Sequence, residues 1–240
     1  KANLVSGSDA QFLDKSSYCQ KCHNDIHLQW QASSHRFSSF NNPFYKLAVD
    51  NARQKFQSRD GNMLQSRFCA GCHDIYPLIN GEFDNSDFNH VRYESASTGI
   101  SCSVCHTISQ VNTLKGNGDF TLQEPVHYPF AFHESEILRW LSDVLVKSNP
   151  DFHRKTFLKP VHKTPEFCGG CHKVSILESI NHYKWLRGQN HYDSFMQSGV
   201  SGHSVDSFNY PEVATPSCQT CHMNKVNSSD LASKFEPKMG

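Results

Sequence analysis

The sequence is poor in what usually fills a protein interior. Only 37% of its 240 residues are hydrophobic, which is low for a core of that size, so something besides aliphatic side chains must occupy the interior. No apolar run approaches the roughly 18 residues needed to cross a bilayer. Neither sign of charge dominates, with 23 basic and 23 acidic side chains and no run of either, which leaves no nucleic-acid face. Methionine is scarce, at four residues. The chain begins at Lys1 without a signal-like stretch, and reads as a processed or trimmed soluble form.

Cysteine, histidine and aromatic residues are plentiful: 10 Cys, 15 His, 17 Phe and 8 Tyr. The cysteines fall into one pattern, Cys-x-x-Cys-His. It occurs as CQKCH at Cys19, Cys22 and His23 and as CAGCH at Cys69, Cys72 and His73. It returns as CSVCH at Cys102, Cys105 and His106, CGGCH at Cys168, Cys171 and His172, and CQTCH at Cys218, Cys221 and His222. A histidine after every one of five pairs has a chance probability on the order of one in a million, and this spacing is that of c-type haem attachment. Two cysteines three residues apart share a helical face, matching the two vinyl groups of a haem, and the next residue turns its imidazole to the iron. Zinc knuckles also use CxxC. Five of them, however, do not divide into four-cysteine sites, and a mixed site would not place a histidine against each. Redox dithiols normally occur once per domain.

Five haem c groups would supply the missing apolar bulk, with phenylalanine and tyrosine against their faces and edges. Their propionates and irons would make the loaded protein more acidic by about five charges oxidised and about ten reduced, which favours basic partners over acidic ones. His23, His73, His106, His172 and His222 take five of the ten axial positions, and ten further histidines compete for the rest. Bis-histidine ligation closes the iron and lowers its potential, whereas methionine raises it. Met63, Met196, Met223 and Met239 are the whole methionine supply, so methionine ligates at most a minority. The expected distal ligands are His35 in WQASSHRF, His127 in EPVHYPFAF, His162 in KPVHKTPEFC, and His191 and His203 on the approach to Cys218. His153 is held in reserve. His27, one turn from His23, reads as exposed or supporting, and His90, His133 and His182 lie in polar segments.

The motif intervals of 50, 33, 66 and 50 residues are too unequal for a tandem repeat, so residues 1–240 read as one multihaem unit. NNPFYKLAVDNARQKF predicts a helix capped by Asn42, with Pro43 first, an apolar set at Phe44, Leu47, Ala48 and Phe56, and an end before Gly61. ESEILRWLSDVLVK predicts a second, stopping at Asn149-Pro150. Segment 175–197 reads as helix interrupted near Gly188, with Tyr183, Trp185, Tyr192 and Phe195 able to cover a haem edge. ISQVNTLKGNGDFTL is the strand signal and predicts one hairpin around Gly-Asn-Gly. The polar stretch after His222, with Pro237 and Gly240, reads as a loose end or the point where a longer protein was cut. The expected fold class is mainly α with extensive loops, organised around stacked haems, with at most one small β-hairpin.

The first motif with WQASSHRFSSFNNPFY, then RFCAGCHD, GISCSVCHTI, EFCGGCHKV and CQTCHM, resembles the multihaem cytochromes c of the cytochrome c554 and hydroxylamine oxidoreductase superfamily. The resemblance spans nearly the whole chain. It implies a mostly helical, periplasmic or cell-surface protein whose closely stacked haems pass electrons in series, and some members carry further domains after such a stretch. Nitrite-reducing relatives use CxxCK at the catalytic haem, which is absent here. No tyrosine matches the one cross-linked to haem in hydroxylamine-oxidising relatives.

The leading expectation is therefore an electron carrier between a respiratory donor, such as a quinol-oxidising membrane complex, and a terminal reductase or extracellular acceptor. The alternatives are an oxidoreductase acting on a small nitrogen or sulfur compound at one five-coordinate haem, and a self-assembling subunit of a cytochrome filament.

Overall fold

The computed structural model describes residues 2–5 and 10–235. The chain opens with β1 (Asn3–Leu4), α1 (Ser16–Gln20), α2 (Asn24–Gln31), the long α3 (Pro43–Asp60), α4 (Arg67–His73), α5 (Ile75–Ile79) and α6 (Cys102–Thr107). A hairpin of β2 (Ile108–Val111) and β3 (Phe120–Leu122) leads to α7 (Glu136–Ser148), α8 (Pro150–Phe157) and α9 (Pro165–His172). Then come β4 (Lys173–Ile176), α10 (Glu178–Asn181), β5 (Leu186–Asn190), α11 (His191–Met196) and α12 (Cys218–His222), with short 3₁₀ turns and loops between. The fold is mainly α, as expected.

Local chemistry explains the long helix. Asn42 Oδ1 accepts the N–H groups of Phe44 and Tyr45 at 3.0 and 3.2 Å, Pro43 supplies the preset first position, and Gly61 closes the helix with φ 71°. Its packed face differs from the expected one. Val49 and Arg53 are buried, while Phe44 and Leu47 are 83% and 64% exposed. Arg53 sets this rotation: its guanidinium donates to Phe83 O at 2.5 Å and Asn85 O at 2.9 Å, and bonds from a charged donor to buried carbonyls outweigh the exposure of two apolar side chains. α7 stops at Asn149 as expected, and Pro150 at once begins α8.

The expected hairpin forms, β2 against β3 antiparallel, and β1 joins β3 in parallel as a third strand. Segment 175–197 is a correction. Instead of one interrupted helix it holds a second antiparallel ribbon, with Lys173 opposite Asn190, Ser175 opposite Arg187 and Ile176 opposite Leu186. A turn through His182 at φ 55° reverses the chain, and Gly188 lies where a Cβ would stand 3.2 Å from Val174 O. Cross-strand pairing has overridden local helix preference. The single-hairpin limit is exceeded.

The protein's own core is small. One cluster gathers Phe12, Leu13, Ile75, Val104, Ile108, Phe120 and Leu122, and a second Phe40, Val49, Ala70, Phe83 and Ala96. Large apolar side chains elsewhere stay open, with Phe208 90%, Ile137 75% and Trp140 64% exposed. The stretch after motif 5 is not loose throughout. Asp230 accepts the Asp25 N–H at 2.8 Å near the start of α2, while Asp25 Oδ2 accepts from Ser228 Oγ at 2.7 Å and from the Ser229 N–H at 3.2 Å. Pro237, Met239 and Gly240 lie outside the described residues.

Replacing Asn42 by Ala should lower unfolding free energy by about 1 kcal/mol, whereas Gly should cost only a few tenths. Urea unfolding of the two variants side by side checks this.

Candidate haem-binding sites

In α4, α6, α9 and α12 the helix carries the whole CxxCH and ends on its histidine (α6 runs one residue further), so both thiols share one face. Motif 1 differs: α1 stops at Gln20 and His23 is the N-cap residue before α2. α6 is anchored by Ser101, whose Oγ accepts the Val104 N–H at 3.0 Å and donates to Leu13 O at 2.6 Å. All ten cysteines are unpaired. Among the described residues no three His, Cys, Asp or Glu side chains converge to hold a bare metal ion, so the four-ligand geometry of zinc is not formed there.

Three motif histidines have Nδ1 engaged. His73 donates to Ser38 O at 2.6 Å, His106 donates to Phe157 O at 2.9 Å, and the Gln189 side-chain amide stands 3.2 Å from His172 Nδ1. The bonds of His73 and His106 fix the ring orientation and leave Nε2 to a metal, the usual arrangement around a ligating imidazole, whereas the Gln189 amide is a donor and His172 Nδ1 accepts from it. Burial lowers the pKa of His23, His73, His106 and His172 and so favours the neutral, coordinating form.

Two imidazoles on one iron, at roughly 2 Å per metal–nitrogen bond, hold their ring centres roughly 6 Å apart. Three pairs stand near that separation: His23 and His153 at 6.2 Å, His172 and His35 at 6.1 Å, and His172 and His191 at 5.9 Å. His106 and His162 are closer, at 5.4 Å. The last pair has competition, because His162 accepts the Lys159 N–H on Nδ1 at 3.2 Å and donates from Nε2 to Ile108 O at 3.1 Å. His127 lies 5.5 Å from the Phe157 ring and borders a small cavity with Cys19, Ser103 and Thr107. His203 is exposed, and among the described residues it makes no ring contact with a motif histidine.

The motifs lie close to one another. The thiols of Cys72 and Cys171 stand side by side, as do those of Cys168 and Cys218. Cys171 is held well above the ordinary thiol range by that contact and then by burial. Cys19 is pushed up to about 12 by burial and then by Cys102, and Cys105 to about 12 by burial and then by Cys102 and Cys168. Motifs 1 and 3, 3 and 4, 4 and 2, and 4 and 5 are thus neighbours, consistent with α1 packing on α6 and α12 on α9.

Beside Cys69 opens a cavity of about 680 Å³, lined by Ala52, Phe56, Phe68, Ile176 and Ile180 with Lys55 and Arg59 at hand. An apolar slot with two cations suits a macrocycle bearing propionates. On the other side of motif 2, Tyr45 stacks on His73 at 4.4 Å and donates its hydroxyl to Asp74. Burial raises Asp74 to about 7, and its Oδ1 has no partner. The residues present fit haem c: paired thiols, imidazoles with Nε2 free, apolar walls and basic side chains.

Residues 18–107 match the family described as cytochrome c554 and c-prime. The fold matches a penta-haem cytochrome c552 from Thermochromatium tepidum, with a TM-score of 0.54 and 20% identity over 92% of this chain and 57% of that one. The family match covers well under half of the chain, and the solved structure, at 20% identity, shows a shared fold. A search of curated proteins returns no match. The chain spans little more than half the length of the solved cytochrome it resembles.

Two histidines were undervalued by sequence reasoning. His153 faces His23 because Asn149-Pro150 breaks α7 and starts α8, and the Asn-Pro signal was readable. His27 is buried at 5% exposure with Nδ1 unpartnered, which corrects the exposed reading. Only the tertiary position of Trp30, whose ring lies 5.4 Å away and whose indole N–H donates to Ile100 O, shows it.

Replacing Cys69 by Ser should leave the motif 2 haem held by one thioether. Pyridine haemochrome spectra should then show a red-shifted α-band component absent from the parent.

Proposed function

We propose that the chain carries five haem c groups, one at each motif, and conducts electrons between a respiratory donor and a terminal reductase or extracellular acceptor, in the periplasm or at the cell surface. One observation carries the reading: thiols of all five motifs lie near enough to act on one another electrostatically, in one connected set. Haems attached at neighbouring thiols lie close enough for electrons to pass without a mobile carrier. Basic partner surfaces suit the acidity that the propionates confer.

For the axial ligands we propose His153 opposite His23 and His35 opposite His172. His191 is the weaker partner for His172. Both their Nδ1 atoms contact the same Gln189 nitrogen, so they lie within roughly 6 Å of each other, whereas trans ligands bound through Nε2 hold them roughly 8 Å apart. For His106 we propose His127, whose ring nitrogens make no hydrogen bond among the described residues, in preference to His162, which caps the turn at Lys159.

A second reading is favoured at motif 2, where no imidazole is in ring contact with His73 among the described residues. There the Tyr45 hydroxyl and the buried Asp74 offer a proton route, as reduction or oxidation of a small nitrogen or sulfur compound requires.

Electron paramagnetic resonance decides between them. The His153→Ala and His35→Ala variants should each convert one low-spin ferric signal to high spin, while His191→Ala and His203→Ala should leave the parent spectrum intact. A parent protein whose optical spectrum changes with nitrite, hydroxylamine or carbon monoxide would favour the enzyme reading. No change in the His153 and His35 variants would overturn the ligand assignment.

A further inference from the structure

The tip of the β2–β3 hairpin is built into the gap between motifs 2 and 4. Gly116, Asn117 and Gly118 all have positive φ, at 75°, 59° and 66°, a run that side chains beyond Cβ seldom tolerate. On one flank, the Asn117 N–H donates to Lys173 O at 2.9 Å and the Gly118 N–H to Gly170 O at 2.8 Å. The Asn117 side chain closes a reciprocal pair with Ser175, donating to its carbonyl at 3.0 Å and accepting its N–H at 2.8 Å. On that same flank a Cβ on Gly116 would meet Lys173 O at 1.8 Å, and on the other flank one on Gly118 would stand 2.6 Å from Gly71 O. Gly71 and Gly170 immediately precede Cys72 and Cys171, whose thiols stand side by side. The turn therefore contacts the residue next to each member of that pair, and it has no room to thicken.

We infer that this turn is a spacer that sets the separation of the groups on motifs 2 and 4 and so their electronic coupling, an inference that rests on the electron-transfer reading. Its residues touch no haem-bearing atom and act through Gly71, Gly170 and Lys173, so they are positioning residues. A bulkier tip would push the two helices apart while leaving all ten cysteines and all five motif histidines in place.

The test uses the haem-loaded full chain. Haem content is measured by pyridine haemochrome, and coupling by the spin–spin interaction in electron paramagnetic resonance together with the exciton signal in Soret circular dichroism. Gly118→Ala should retain full haem content and lose the coupled signal of one haem pair. Asn117→Gly keeps the left-handed backbone but deletes every side-chain bond to Ser175, and should weaken that signal; it decides the matter if Gly118→Ala does not fold. Gly81→Ala is the control, since Gly81 has φ 85° with open space around it; it should leave coupling at the parent level. The inference is overturned if fully loaded Asn117→Gly and Gly118→Ala keep the parent coupling, if Gly81→Ala changes it as much, or if the parent shows no coupled pair. A parent lacking haem at motif 2 or 4 would instead overturn the five-haem reading beneath it.

Discussion

Two thiols one helical turn apart, closed by an imidazole, are the constraint on which the rest of this structure depends. The spacing needs only a single turn of helix, and the fold supplies little more. The helices that bear the motifs are five to eight residues long, shorter than isolated helices can sustain in water. They persist because each is fastened by tertiary bonds: Ser101 to Leu13 and His106 to Phe157 for α6, His73 to Ser38 for α4, the hairpin tip to Gly170 for α9, and Gln219 to His162 for α12. Attachment chemistry is local, whereas its placement is a property of the whole chain.

Burial follows the same division. The two protein clusters are small, and several of the largest apolar side chains face outward. A chain of this size would ordinarily gather such residues into one core. Here the polypeptide behaves as a shell, with polar and backbone hydrogen bonds doing the joining that aliphatic contact does elsewhere. Arg53 illustrates the substitution: a buried guanidinium ties α3 to the Phe83–Asn85 loop where a leucine would serve in a conventional core.

Legibility in the sequence tracks how local each determinant is. The motifs, the Asn42 cap, the Gly61 stop and the Gly-Asn-Gly hairpin were all readable, because each rests on neighbours within a few residues. The ribbon of β4 and β5 was not, since its pairing joins Lys173 to Asn190 across a turn that helix-like composition disguises. The rotation of α3 was hidden in the reach of Arg53 to residues 30 and 32 positions on. Histidine roles were the least legible. The Asn-Pro break that brings His153 to His23 was there to be read, whereas the burial of His27 depends on Trp30 reaching Ile100, a contact that no spacing encodes.

Thiols of motif 4 lie near those of three other motifs: Cys168 near Cys105 of motif 3 and Cys218 of motif 5, and Cys171 near Cys72 of motif 2. Under the five-haem proposal motif 4 is the junction of the set, and control of direction concentrates there.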